Sequence, residues 1–307
     1  AGQLILGASY AISVAFYTRL FIAFLLERVD PLPTVGPEAK TTVLLLIIAG
    51  VAWMRGTRGL EVVELVAVSI KLAIIAGVLV ALSAYDLSSG MRWFAHDPTA
   101  DLTAWETTAV LAGMLMVTQG FETSRFMGAH YSSSTRIRAS RNAQLIALVI
   151  YTAFIGLTCP IFLEFPIATL TETTISTTLG MVVLVLPAML LVAAITSQLS
   201  AALADTIGGG GLLKELAPGA LDERHVYLVL IGVAVGIVWR TDVFGIINFA
   251  SKGFALFYLV QTLIAMRLSW LVEDDASSRR LLRVLAHGGL ALGLSFVVLF
   301  SMPAPHG

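Results

Sequence analysis

Long apolar stretches, each closed by a short polar cluster, alternate along the entire chain. A bilayer core about 30 Å thick is crossed by ~20 apolar residues in helix, at 1.5 Å per residue. Nine runs fit that template: Gln3–Leu26, Thr41–Met54, Leu60–Ala84, Thr107–Gly128, Asn142–Leu163, Leu179–Ile207, Val226–Trp239, Phe244–Leu268 and Leu281–Met302. The second and seventh are short. The longest polar stretch, Tyr85 to Glu106, is rich in Asp, Ser, Gly and Pro and predicts a surface loop. No soluble domain fits between the runs, so residues 1–307 read as a single all-α transmembrane domain.

Composition agrees. Of 307 residues, 57% are hydrophobic and 13% charged, against about 25% charged in a soluble domain. Mean hydropathy is +0.88. A formal net charge of -1 gives no basic excess for nucleic acid. Cys159 is the lone cysteine, so no disulfide forms within one chain. The chain opens on Ala1 directly into an apolar run without a charged leader, which does not read as a signal peptide. It reads instead as a piece of a longer gene product, truncated at one or both ends.

Loop charges predict orientation. Arg55 and Arg58, then Arg136, Arg138 and Arg141, then Lys214 and Arg224, then Arg267, Arg279, Arg280 and Arg283 follow the even-numbered runs. The alternate loops hold few: Arg28 and Lys40, Arg92, and Arg240. The positive-inside rule makes the first set cytoplasmic. The starts of runs six, seven and eight follow those of one, two and three by roughly 176, 185 and 184 residues, and each triplet reads long, short, long. Five spans separate equivalent members, so the triplets cross in opposite senses. That is the pattern of an inverted repeat, the device by which secondary transporters build a central site.

Ionisable groups at membrane depth are costly and are functional candidates. Lys71 lies ~16 Å into the third run at 1.5 Å per residue, too deep to snorkel easily. It reads as a group whose protonation couples to transport, or as a static ion pair. Glu122 follows Thr118-Gln119-Gly120-Phe121, where a glycine among polar residues weakens a helix and frees backbone groups for a ligand. The alternative is a packing glycine beside a buried ion pair. Arg19 reads as snorkelling to the outer interface or as a site residue. Lys252, ~12 Å into its run, stands on the repeat-equivalent helix of Lys71 and is a possible partner of Glu122. Thr196, Ser197, Gln198, Ser200 and Asp205 either line an ion or substrate site or bond back to their own helix. Tyr10 and Tyr17, two turns apart, either wall the same cavity or simply pack. Gly208–Gly211 reads as a flexible break or helix end. The five histidines form no H-E-x-x-H pair, and no P-loop is present, so no enzyme is indicated.

Four stretches resemble the amino acid–polyamine–organocation permeases, which share the leucine-transporter inverted-repeat fold. Gln119-Gly120-Phe121-Glu122 is similar to their broken sixth helix. Arg136 to Arg141 resembles the basic loop into the seventh, Ser197 to Leu213 the eighth helix and following loop, and Asp242 to Leu268, including Ile247-Asn248-Phe249-Ala250-Ser251, the tenth. The nine runs then correspond to helices three to eleven, and the first two and the last have no counterpart. The acidic pair and Asn/Asp-Pro that usually follow the sixth helix are replaced by Gly128-Ala129-His130-Tyr131-Ser132.

The resemblance implies residue roles. Met116, Val117, Thr118, Gln119, Gly120 and Phe121 would meet the substrate, with Tyr10 beside them. Glu122 would be an acid linked to proton dependence. Lys71 would put an ammonium where sodium-coupled relatives hold an ion, with Thr196, Ser197 and Ser200 on the eighth-helix side of that position. The expectation is a proton-coupled permease for an amino acid or related amine, working by alternating access in a bacterial cell membrane. Its partners would be that small molecule, protons and the lipid bilayer, with no cofactor and no metal. A sensor or assembly subunit that kept the fold without transporting is the alternative.

Overall fold

The computed structural model describes residues 2–26, 34–55, 58–89, 103–120, 122–124, 131–164, 174–216, 223–271 and 277–303. These residues form α1 (Gly2–Leu25), α2 (Pro37–Arg55), α3 (Arg58–Ser89), α4 (Ala104–Gly113), a 3-10 turn (Leu115–Thr118) and α5 (Ser133–Glu164). They continue as α6 (Thr174–Val182), α7 (Leu186–Leu216), α8 (Glu223–Val238), α9 (Val243–Leu271) and α10 (Ser277–Phe300). No strand occurs among the described residues. Seven helices, α1, α2, α3, α5, α7, α9 and α10, are long and apolar enough to cross a membrane. Of the remaining runs, the seventh is the 16-residue α8, and the fourth is not one helix.

Two differences from the sequence reading have one cause. Arg136, Arg138 and Arg141, read as a loop, stand on the first turns of α5, which begins at Ser133. Arg280 and Arg283 likewise stand on α10, and Arg267 on α9. Hydropathy marks only the length of helix matched to hydrocarbon, whereas backbone hydrogen bonding carries the helix past it into water. Ser132 stabilises the start of α5, its hydroxyl accepting from the Thr135 amide at 3.3 Å. The sixth run also divides: α6 ends at Val182 and α7 begins anew at Leu186, next to Pro187.

The core is built around α1, which packs against α7, α8, α9 and α2. One apolar cluster joins Val14 and Ala15 of α1 to Leu45 and Ile48 of α2, Ala202 of α7 and Ile231 of α8. A second joins Leu6 and Tyr10 of α1 to Leu212 of α7, Leu230 of α8 and Phe254 of α9. α3 lies against α7 and α5, and α10 against α9 and α4. Apolar residues on the outward faces of α3, α5 and α10, such as Val80, Leu148 and Leu292, are exposed and suited to lipid.

The glycine stretch after the sixth run corrects the reading of a flexible break or helix end. Gly208, Gly209 and Gly210 lie buried inside the continuous helix α7. A Cβ at Gly208 would lie 3.3 Å from the Tyr10 ring, and one at Gly209 would lie 3.0 Å from Leu230. A Cβ at Gly210 would run into the Tyr227 ring. Membrane helices come together by close packing of small residues, and these glycines admit large side chains from α1 and α8.

Candidate transport site at the helix break

The fourth run starts as a well-capped helix. Thr103 and Glu106 form a capping box, with the Thr103 amide donating to Glu106 at 2.8 Å and the Glu106 amide donating back at 3.3 Å. α4 nevertheless stops after ten residues, at Gly113. A Cβ there would strike the Met302 carbonyl at the end of α10, so only glycine allows the approach. The Met302 amide donates to the Ala109 carbonyl at 3.0 Å. The Ser251 hydroxyl of α9 donates to the Gly113 carbonyl at 2.6 Å, taking up an acceptor that the helix end leaves open. Asn248, one turn earlier on α9, accepts from Ser301 at 3.0 Å. Asn248 and Ser251 thus clamp the helix end, a role the sequence motif did not disclose.

Beyond the 3-10 turn the chain is non-helical at Gln119 and Gly120. Gly120 has φ +112°, a conformation essentially closed to residues with a Cβ. The freed carbonyls find partners on α5: Tyr151 donates to Val117 at 3.3 Å and Gln144 to Thr118 at 3.4 Å. The Thr118 hydroxyl turns back to Leu115 at 2.9 Å. Thr118 and Val117 are exposed, whereas Gln119 and Gly120 are half-buried. The backbone of Met116 falls within the 3-10 turn; Phe121 lies outside the described residues.

Three elements converge on the break. Gln119 donates to the Tyr17 hydroxyl of α1 at 3.1 Å. The Gly120 amide donates to Glu122 Oε2 at 3.0 Å, and the Tyr258 hydroxyl of α9 donates to the same oxygen at 2.7 Å. Among the described residues, Gln119 Oε1 and, on α7, Gln198 Oε1 are buried without a hydrogen-bond partner. Tyr10 is fully buried, its ring edge-on to Phe254 at 6.0 Å, and it interacts with the Glu122 carboxyl. Glu122 borders a cavity of ≈ 430 Å³, lined also by Ser124, Ser133, Arg136, Tyr258 and Gln261 among others. Arg136 donates to the Ser124 carbonyl at 3.2 Å, joining the far side of the break to the start of α5.

The other predicted residues are distributed as follows. Lys71 is half-buried on α3 and has an interaction partner. α3 and α7 run antiparallel where Val78 and Leu82 meet Leu186, and Gly77 meets Met189. Lys71 lies about two turns before Gly77 and Thr196 about two turns after Met189, which puts the two at one level. Thr196 itself bonds back to Val192 at 2.7 Å, the local alternative considered from sequence. Ser197 is half-buried and Ser200 buried. Lys252 does not pair with Glu122, whose carboxyl is held by Gly120 and Tyr258 instead. Arg19 forms an ion pair with Glu38 of α2 at 2.7 Å and so ties α1 to the start of α2. Tyr258 was missed because a tyrosine in an apolar run has no distinguishing spacing.

Seven helices among the described residues are long and apolar enough to span a membrane, which fits a multi-pass integral membrane protein. A family model described as APC superfamily transporter matches residues 1–301, and the chain belongs to that superfamily. It is also similar to a protein of Aquifex aeolicus (strain VF5), named only as an uncharacterized protein. The two are 38% identical over 298 residues, which cover 97% of this chain and 71% of the relative.

Proposed function

We propose that the protein is a secondary active transporter for an amino acid or related amine, proton-coupled and working by alternating access in a bacterial cell membrane. The observation that carries the reading is the break after Gly113, where the Glu122 carboxyl borders a cavity of ≈ 430 Å³ and Gln119 stands three residues before it. An ammonium brings several N–H donors and no acceptor, so amide and carboxyl oxygens are its natural complement. The cavity volume falls in the range of small-molecule sites, about 300 to 1,000 Å³. In this reading Gln119, Gly120 and Glu122 form the polar part of the substrate site, with Met116, Val117, Thr118, Phe121 and Tyr10 around it. Glu122 and Lys71 carry the coupling, with Thr196, Ser197 and Ser200 across from Lys71.

Alternating access is supported by element spacing and packing. α7, α8 and α9 each begin ~185 residues after α1, α2 and α3. The pairing of α1 with α9 is matched by that of α7 with α3, and the pairing of α1 with α2 by that of α7 with α8. Such a pattern fits two inverted halves around one site.

The test is uptake of labelled amino acids and amines by the protein in proteoliposomes, with and without an inward proton gradient. The gradient should stimulate uptake, and Lys71→Ala should remove the stimulation. No uptake by folded protein under either condition would favour the non-transporting sensor instead. Unchanged coupling in Lys71→Ala would take Lys71 out of the mechanism.

A further inference from the structure

A buried acid stands at the end of α3, away from the break. Asp86 lies in the last turn of that helix and is 2% exposed. Its Oδ2 is buried without a hydrogen-bond partner among the described residues. Ser176, on the first turn of α6, is 3% exposed, and its Oγ is likewise buried without a partner among them. Asp86 follows Leu82 by one turn, and Ser176 precedes Leu179 by one turn. Leu82 and Leu179 are both fully buried in one cluster with Val78, Ile161 and Leu186. α3 and α7 run antiparallel there, and α6 leads into α7. The acid and the hydroxyl therefore border the same edge of that cluster, on the side that loop charge places outside.

Each feature of this place calls for positive charge. The last carbonyls of a helix have no donor within it, and the macrodipole puts partial negative charge there. A lysine or arginine in the last turn complements that end, and the last turn of α3 holds neither. It holds an acid instead, the unfavourable sign. The Ser88 hydroxyl donates to the Tyr85 carbonyl at 2.8 Å, which serves the backbone and leaves the acid as it is. A buried carboxylate keeps its charge when it is paired or bound to a metal ion. Carboxylate, hydroxyl and carbonyl oxygens are hard donors, suited to a cation that prefers oxygen. One carboxylate balances one unit of charge. No group of three or more His, Cys, Asp or Glu side chains fit to hold a metal ion occurs among the described residues, so the donor set suits a monovalent ion better than a divalent one.

We propose that Asp86 and Ser176 form a binding site for a monovalent metal cation such as sodium, completed by carbonyl oxygens at the end of α3. The ion neutralises the buried acid and fastens the end of α3 to the start of α6. The site does not depend on the transporter reading above, and it is separate from the Gln119–Glu122 break.

The experiment is thermal unfolding of the purified full chain in detergent, at constant ionic strength, with sodium or potassium chloride replacing choline chloride. A ligand that binds only the folded state raises its melting temperature. The wild type should melt higher by about 2 °C or more, saturably, as one of the two metal ions is added. Asp86→Asn should abolish that rise, and in choline alone it should melt no lower than the wild type, because it removes an uncompensated buried charge. A merely structural acid would lower melting equally in all three salts. Ser176→Ala should move the half-saturating concentration upward several-fold. Equilibrium binding of radioactive sodium, or of rubidium as a stand-in for potassium, supplies a second readout: one ion per wild-type chain, lost in Asp86→Asn. A wild type indifferent to both metal ions overturns the proposal, as does an Asp86→Asn chain that keeps the wild-type rise.

Discussion

At the scale of single residues, the chemistry is concentrated in side chains whose partners come from distant parts of the chain. Glu122 is separated from Tyr258 by 136 positions, yet the phenol donates to its carboxyl at 2.7 Å. A hydrogen bond to a charged group contributes about 1.5–3 kcal/mol. Tyr258→Phe keeps the ring against Phe254 and Phe257 and removes the hydroxyl that donates to Glu122. The expected result in the proteoliposome assay is a rise in KM of about tenfold or more, accompanied by a lowered melting temperature. An unaltered KM would separate Tyr258 from the substrate site. Glu122 itself was legible in the sequence, because a carboxyl beside a glycine within an apolar run has few structural excuses. Its partner was not, because tyrosines are ordinary members of such runs.

Among the elements, the structure turns on where helices stop and where they do not. α4 ends at Gly113 although the apolar run continues, and α7 continues through three buried glycines where a break was expected. Both outcomes come from neighbours. At Gly113 the end of α10 and Ser251 of α9 satisfy the backbone groups that termination exposes. At Gly208 to Gly210 the rings of Tyr10 and Tyr227 and the side chain of Leu230 occupy the space that glycine leaves, so continuing the helix maximises contact. Gly210→Leu should therefore force α7 and α8 apart. Overpacking of this kind costs about 1–3 kcal/mol. A lowered melting temperature in detergent is expected, recovered in part by Tyr227→Ala in the same chain. If Gly210→Leu melts like the wild type, the close approach of α7 and α8 is not what the glycine is for.

For the whole molecule, the cavity beside Glu122 is bordered by Ser133 and Arg136 at the start of α5, among the arginines that the positive-inside rule assigns to the cytoplasmic side. This geometry predicts a conformation open to the cytoplasm. With Cys159 replaced by serine, Ser133→Cys should react with a membrane-impermeant thiol reagent in inside-out vesicles and not in right-side-out ones. Substrate should slow the reaction if the cavity closes around it. The reverse sidedness would invert the orientation read from loop charge.

The sequence alone determined that this is a polytopic helical membrane protein and where most of its spans lie; it also placed a helix break at Gly120, whereas in the structure the helix ends earlier, at Gly113. These follow from local rules: a bilayer requires long apolar helices, and a polar glycine-bearing segment within one requires a protein-lined setting. The tertiary structure decided which polar groups share a site. It joined Tyr17 to Gln119, Tyr258 to Glu122, and Ser13 to Asp205, and it left Lys252 apart from Glu122. It also decided that Arg19 answers Glu38 and that the glycines of α7 are contacts. The physical reason is that hydropathy measures how each residue suits lipid, whereas a hydrogen bond between helices depends on their crossing and rotation. Those are set by packing summed over the bundle, and no local window of sequence contains them.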